Sequence, residues 1–153
     1  MYLDIAERIA QESHAVRLKV GAVFVSPDGV MSTGINGMPA GGTNECETST
    51  IIGMKLLSGV AGIDAAYAPL IELKTKPECS HAEEQLFAKL MRQGVSTKDG
   101  YIFLSHEPCI NCAKIIVGSG VKEVVFRHSY TGSHKTGTEW LNMNNVTCLK
   151  EYE

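Results

Sequence analysis

Apolar residues recur at Leu3, Ala6, Ile9, Ala10 and Val16, close to the spacing of one helix face, and predict an amphipathic helix within residues 3–17. Val20-Gly21-Ala22-Val23-Phe24-Val25 is almost wholly apolar and rich in β-branched residues, the pattern of a strand covered on both faces. Pro27-Asp28-Gly29 supplies turn chemistry, and Val30 to Asn36 returns as a second strand, so the two form a hairpin. Residues 37–48, rich in Gly, Asn and Pro, are read as a loop. Between 49 and 79 neither period dominates, and Ile51 to Leu57 and Ala65 to Leu73 are read as short helices. Ala82, Leu86 and Leu90 then repeat at four and predict a helix over 81–93 that stops at Gly94. Tyr101 to Ser105 is a predicted strand and Cys109 to Val117 a helix following Pro108. Glu123 to Arg127 is another strand, Thr138 to Asn142 a short helix and Val146 to Tyr152 a last strand.

The predicted order is α-β-β-(insert)-α-β-α-β-α-β, which is the order of one α/β domain with helices on the faces of a sheet. The domain is expected to span 1–153, with the insert at about 46–79. A hydrophobic fraction of 44% allows a packed core. Fourteen Lys and Arg against seventeen Asp and Glu give a net charge of −3, the opposite bias to that of a protein gripping long nucleic acid through its phosphates. The N-terminal residues Asp4 and Glu7 stand where a signal peptide needs basic residues. The most apolar stretch, residues 49–73, is broken by Lys55, Asp64 and Glu72 and makes a poor bilayer span. A cytoplasmic protein is expected. Five cysteines are too few, and odd in number, for a disulfide scaffold, so cysteine chemistry in a reducing compartment is the better reading.

Two motifs stand where loops feed helices: His81-Ala82-Glu83 and Pro108-Cys109-Ile110-Asn111-Cys112. Cys109 and Cys112 are three apart, so on a first helical turn both sulfurs face one way, and His81 completes three ligands for Zn²⁺ with a fourth position left for water. Two thiolates cancel the formal charge of the ion and blunt its acidifying power. Unsatisfied N–H groups at a helix N-terminus offset this by bonding the sulfurs. Glu83 is the acid near enough in sequence to take the proton of that water. Taken singly the motifs have plainer readings. A C-x-x-C is more often a structural zinc knuckle or a redox pair, and Ser80-His81-Ala82-Glu83 fits a capping box in which Glu83 only closes a helix. Together, H-x-E followed after twenty-four residues by P-C-x-x-C matches the signature of zinc nucleobase deaminases.

At these residues the chain resembles the cytidine deaminase superfamily and, within it, the deoxycytidylate (dCMP) deaminases, including the phage type. The resemblance extends through Lys19-Val20-Gly21-Ala22, Gly34-Ile35-Asn36-Gly37-Met38-Pro39, Cys112-Ala113-Lys114-Ile115-Ile116 and Gly120 to Phe126, and on to Tyr130. The zinc motifs point only to the superfamily, whereas the G-x-N-G-x-P loop and the long insert before His81 point to dCMP deaminases. The chain departs from the family in Glu84-Gln85-Leu86, where Asn-Ala is usual, and in Ser105-His106-Glu107, where His106 is read as a rim residue.

The resemblance implies a three-layer α/β/α domain with a central mixed sheet of about five strands. It implies hydrolytic deamination of dCMP to dUMP and ammonia by zinc-activated water, supplying dUMP for thymidylate synthesis. It further implies regulation by dCTP, with Mg²⁺, and by dTTP, and a homo-oligomer, often a hexamer. Asn36 is expected on the substrate's sugar, although its local reading is equally a turn asparagine before Gly37. Lys19 and Tyr130 are further substrate-binding candidates. Arg17, Lys19, His128, His134 and Lys135 are candidate phosphate donors, with the 130–137 loop placed to close over the phosphate. By resemblance to phage enzymes Cys46 and Cys79, joined by His14, are candidates for a second, structural zinc; read locally, the two cysteines are buried or free thiols, and Cys148 is core. Two other readings stay open here: a superfamily deaminase acting on a nucleoside, dCTP or a base in RNA, and a zinc-stabilised binding module without catalysis.

Overall fold

The structure, a computed structural model, describes residues 1–57, 66–130 and 136–151. A five-stranded mixed sheet runs in the order β2-β1-β5-β6-β7, with β1 at Gly21–Val25, β2 at Met31–Ile35, β5 at Tyr101–His106, β6 at Glu123–His128 and β7 at Thr147–Lys150. β1 pairs antiparallel with both β2 and β5, and β5, β6 and β7 are parallel. Strand parity sends alternate side chains to opposite layers. Ala22 and Phe24 point with Ile102, Leu104, Val124 and Phe126 into the main core, where Leu86 and Leu90 of α2 (Ala82–Gln93) and Ile116 of α3 (Ile110–Gly118) meet them. Val23 and Val25 point to the other face and pack on Ala6, Tyr2, Ile5 and Ile9 of α1 (Tyr2–Ala10). With α4 (Thr138–Met143) closing on β7 and α3, this is the expected α/β/α sandwich of the cytidine deaminase kind.

The strand predicted to be covered on both faces is so covered, since every residue of β1 is buried. The first helix is shorter than its periodicity predicts. It ends at Ala10, and Ser13 turns the chain by accepting the Ala15 N–H and donating its hydroxyl to the Asn36 carbonyl at 2.7 Å. Gly94 ends α2 as predicted, with φ +65°, a conformation glycine adopts without penalty. Gly34 of β2 is required by proximity: a Cβ there would lie 2.3 Å from the Ala82 carbonyl oxygen, so only glycine lets the first turn of α2 sit this close to the sheet.

The insert corrects the prediction of two short helices. It is an antiparallel hairpin, β3 at Glu47–Leu57 and β4 at Ala66–Thr75, and residues 58–65 lie outside the described part. The reason is local. Thr48, Thr50, Ile51 and Ile52 are β-branched, and Pro69 would break a helix interior but is tolerated on a two-stranded ribbon with free edges. A register shift between Ile51 and Gly53, and apolar residues on both faces, erase the alternation a strand normally shows. Among the described elements, β3 and β4 pack only on each other.

Candidate active site

One edge of the sheet gathers four chain ends: the start of β1, the end of β2, and the carboxyl ends of the parallel strands β5 and β6. In open α/β sheets the crevice outside such ends is where ligands bind. A cavity of about 830 Å³ lies there, its walls including Val20, Asn36, His81, Glu83, His106, Cys109, His128 and Tyr130. That volume suits a whole small ligand rather than one ring.

The two motifs meet at this cavity because each opens a helix aimed at it. His81 is the N-cap of α2, held by reciprocal backbone bonds between Gly37 and Ser80. Cys109 is the N-cap of α3, Cys112 lies in the first turn of that helix, and Gly137 donates its N–H to the Pro108 carbonyl at 2.7 Å. His81 Nδ1 stands 3.5 Å from Cys109 Sγ and 3.4 Å from Cys112 Sγ, and the three donor atoms lie within 4.8 Å of one another. Among the described residues this is the one such group of three or more.

The donor set fits zinc chemically. With protons alone between them, the sulfurs cannot both be thiolates: hydrogen bonds from Cys112 and His81 pull the Cys109 thiol down to about 3, while Cys112 is pushed up by its bond to Cys109 and by burial. The hydrogen bond with Cys109 in turn raises His81 to about 9, against the opposing effect of burial. A dication held by both sulfurs and Nδ1 would replace these protons with two positive charges, matching two thiolates, and the donors stand at the N-termini of α2 and α3, where N–H groups favour anionic sulfur.

Glu83 is 4% exposed and lines the same cavity, and burial pushes its carboxyl up to about 7. A carboxyl in that range both gives and takes protons near neutrality. The capping reading of Glu83 is corrected. Glu84 closes the helix instead, its Oε2 accepting the His81 N–H at 2.6 Å, which leaves the Glu83 side chain to the cavity.

The other expected residues divide. Asn36 lines the cavity, but Oδ1 accepts the Val20 N–H and Nδ2 donates to the Leu18 carbonyl, each at 2.8 Å, so the side chain also fixes the 18–20 segment. Tyr130 lines the cavity beside His106, with ring centroids 6.3 Å apart, and burial raises its hydroxyl pKa. His106 sits on the wall, as expected of a rim residue. Lys19 donates its ammonium to the Gln11 carbonyl at 3.0 Å, tying down the segment after α1, and does not line this cavity. Arg17, two positions earlier, does. His134 and Lys135, and most of the 130–137 loop, lie outside the described residues. Cys46 and Cys79 do come together, packed under Ala15 and Met38, but His14 does not join them in a three-donor group. It lines a separate cavity of about 430 Å³ instead. Cys148 is in the core.

Sequence reasoning gave no role to Glu47, Thr75 or Glu7. The first two are the ends of the hairpin and reach the cavity wall, and Glu7 places Oε1 2.9 Å from His128 Nε2. No local motif marks them, because each acts on a partner about thirty or more residues away.

The family model for the cytidine and deoxycytidylate deaminase zinc-binding region matches residues 1–128. The chain belongs to that deaminase family. It is thereby a hydrolytic enzyme of a zinc-binding family. The deaminase is 31% identical over 148 residues to the deoxycytidylate deaminase of Enterobacteria phage T4, which takes in 84% of this chain and 76% of the relative. It is 28% identical over 153 residues to the human deoxycytidylate deaminase, with 97% and 76% covered. Among solved structures it is similar to the cyanophage S-TIM5 dCMP deaminase in complex with dCMP and dUMP, with a TM-score of 0.76, 31% identity, and 98% and 93% of the two chains covered. No described helix of this deaminase is long and apolar enough to cross a membrane.

Proposed function

We propose that the chain removes the 4-amino group of dCMP by hydrolysis, giving dUMP and ammonia. The observation that carries this reading is the buried Glu83 beside the His81–Cys109–Cys112 donor set, in one cavity large enough for a nucleotide. The choice of substrate is supported by the likeness to the cyanophage dCMP deaminase, whose structure holds dCMP and dUMP.

His81 Nδ1 and the sulfurs of Cys109 and Cys112 are the ligands that would hold Zn²⁺, which when bound supplies a Lewis acid that makes water a nucleophile near neutral pH. Glu83 takes the proton of the attacking water and gives it to N3 of the cytosine ring, which makes C4 electrophilic. After attack at C4, Glu83 takes the remaining proton of the added hydroxyl and carries it to the amino group, so that the C4–amino bond breaks, the C4 carbonyl forms and ammonia leaves. Its burial suits both transfers, since a carboxyl near pH 7 is neither too weak a base nor too weak an acid. Asn36 and Tyr130 are assigned to the walls of the sugar and ring positions.

The catalytic unit is the whole chain with the hairpin as its insert. It works in the cytoplasm as a homo-oligomer, hexameric by resemblance, and supplies dUMP for thymidylate synthesis under control by dCTP with Mg²⁺ and by dTTP. The exposed apolar residues of the hairpin, Ile51, Ile52, Met54, Leu56, Tyr67 and Ile71, support assembly, because a patch of this kind on a lone ribbon calls for cover.

The test is to offer purified protein dCMP, CMP, deoxycytidine, dCTP and an adenosine-bearing RNA hairpin, with and without a chelator, and to follow ammonia. Release from dCMP that the chelator abolishes is the expected result. Release from the RNA hairpin alone overturns it. Adding dCTP and dTTP to the same assay tests the regulation.

A further inference from the structure

The last two residues of β5 and the one after them go three ways. Ser105 is fully buried, and its hydroxyl accepts the Gly21 N–H at 3.0 Å. His106 lines the cavity. Glu107 is buried too, at 8% exposure, yet it is not on the cavity wall, and the proton transfers assigned to Glu83 do not use it. Thr138, the first residue of α4, donates its hydroxyl to Glu107 Oε1 at 2.6 Å. That hydroxyl in turn accepts from the Cys148 thiol of β7 at 3.9 Å. Among the described residues no lysine, arginine or histidine lies within ion-pair distance of Glu107. A buried carboxylate is costly unless it is hydrogen-bonded, and a bond to an ionised acceptor is about twice as strong as a neutral one.

The same segment is gripped along its backbone. The Glu107 N–H bonds the His128 carbonyl at 2.8 Å, the Gly137 N–H bonds the Pro108 carbonyl at 2.7 Å, and Cys109 and Thr136 form an antiparallel bridge. Residues 136–138 therefore run back along 107–109, and the side chain of Thr138 closes the last position. The contact excludes a side chain at its centre. A Cβ on Gly137 would lie 2.4 Å from the Ala113 Cβ and 2.9 Å from the Cys109 carbonyl oxygen. Cys109 is the N-cap of α3 and has extended backbone, φ −74° and ψ 166°. An N-cap stands only half inside its helix, so the direction of its sulfur depends on what holds the residues before it. Here that is the start of α4, through Glu107 and Pro108.

We propose that Glu107 is a positioning residue for the metal centre: bonded by Thr138, it fixes residues 107–109 against α4 and so keeps the Cys109 sulfur in reach of His81 Nδ1 and Cys112. This rests on the reading of His81, Cys109 and Cys112 as the zinc ligands. Neither Glu107 nor Thr138 lines the cavity, so the clamp touches no substrate and acts on the ligand alone. Outer groups that orient a metal ligand typically set about 10- to 100-fold in affinity. α4 contributes no residue to the cavity wall, and it bears on the site through this one bond and the backbone beside it.

The experiment loads wild type, T138V, T138S, E107A, E107Q and the double variant E107A/T138V with Zn²⁺ and with Co²⁺. Zinc affinity is measured by competition with a chromogenic chelator, and the cobalt site by its thiolate-to-metal and d–d absorption. T138V is expected to weaken zinc by about 10- to 100-fold and to alter the cobalt bands, and T138S to restore both. E107A should lose as much, and the double variant no more than either alone, because the two residues act as one unit. E107Q keeps an acceptor for the Thr138 hydroxyl and should lose only a few-fold; where the larger changes prevent folding, it decides alone. W140A, on the exposed side of α4, is the control, and should lower urea stability without moving zinc affinity or the cobalt spectrum. Unchanged affinity and spectrum in T138V and E107A, or in E107Q where it stands alone, overturn the assignment. So does a loss in W140A that matches the loss in T138V. A wild-type cobalt complex without thiolate absorption sinks the ligand reading itself, and the assignment with it.

Discussion

Cys109 and Cys112 lie beside each other at one end of the molecule, and Cys46 and Cys79 lie beside each other near the base of the hairpin. Both pairs are largely buried, yet among the described residues only the first has a third donor beside it. Cys109 and Cys112 sit on the N-cap and first turn of α3, where N–H groups favour anionic sulfur, and His81 adds a third donor at 3.4 to 3.5 Å. Cys46 and Cys79 have Ala15 and Met38 for cover, and burial pushes the Cys79 thiol up to about 12. The lesson is that two adjacent sulfurs do not make a metal centre. A third ligand and a field that favours the thiolate do.

The sharpest way to break this contrast is Cys112→Ser. It should abolish ammonia release and zinc content together and lower Tm markedly, since the ligands tie α2 to α3; activity with zinc retained would place the metal elsewhere. Glu83→Gln comes next. It should keep zinc, by atomic absorption, and cost about 10²- to 10⁴-fold in kcat, the usual worth of a general acid–base. Cys79→Ala should leave zinc stoichiometry and kcat in place and cost about 1–3 kcal/mol in urea unfolding, as a small buried side chain does. A drop of one zinc per chain in that variant would restore the second-zinc reading. The smallest effect lies away from both pairs. Asp4 and Glu151 hold lowered pKa values through hydrogen bonds, from the N-terminal amine and Arg127 to Asp4 and from Arg127 to Glu151. Their stabilisation is present above the ordinary carboxylate range and is lost as pH falls through the lowered values. Tm should therefore drop below about pH 4 slightly more in wild type than in Arg127→Gln.

The sheet was legible because its residues obey one period each: Val20 to Val25 is apolar throughout, and Ala82, Leu86 and Leu90 repeat at four. The grouping of His81, Cys109 and Cys112 was legible because these residues are chemically rare and stand at helix starts. The hairpin was not, because its Ile51–Gly53 irregularity and two-sided apolar surface imitate a short helix, and Pro69 was the residue that argued otherwise. Lys19 and Arg17 show the remaining gap. Both are basic and two residues apart, and only the partners, Gln11 for one and Thr75 for the other, decide which faces the cavity.

The bond from the His81 backbone to Glu84 has a consequence for how the protein tolerates change. Three neighbouring side chains take three different places: His81 joins the donor group, Glu83 is buried at the cavity, and Glu84 closes the helix. Because Glu84 makes the closing bond, Glu83 can be replaced without fraying α2, and Glu84 can be replaced without removing a group from the cavity wall. Amide exchange over Ala82 to Gln85 separates the two, slowing when the ion loads and quickening when Glu84 is shortened, whatever stands at 83.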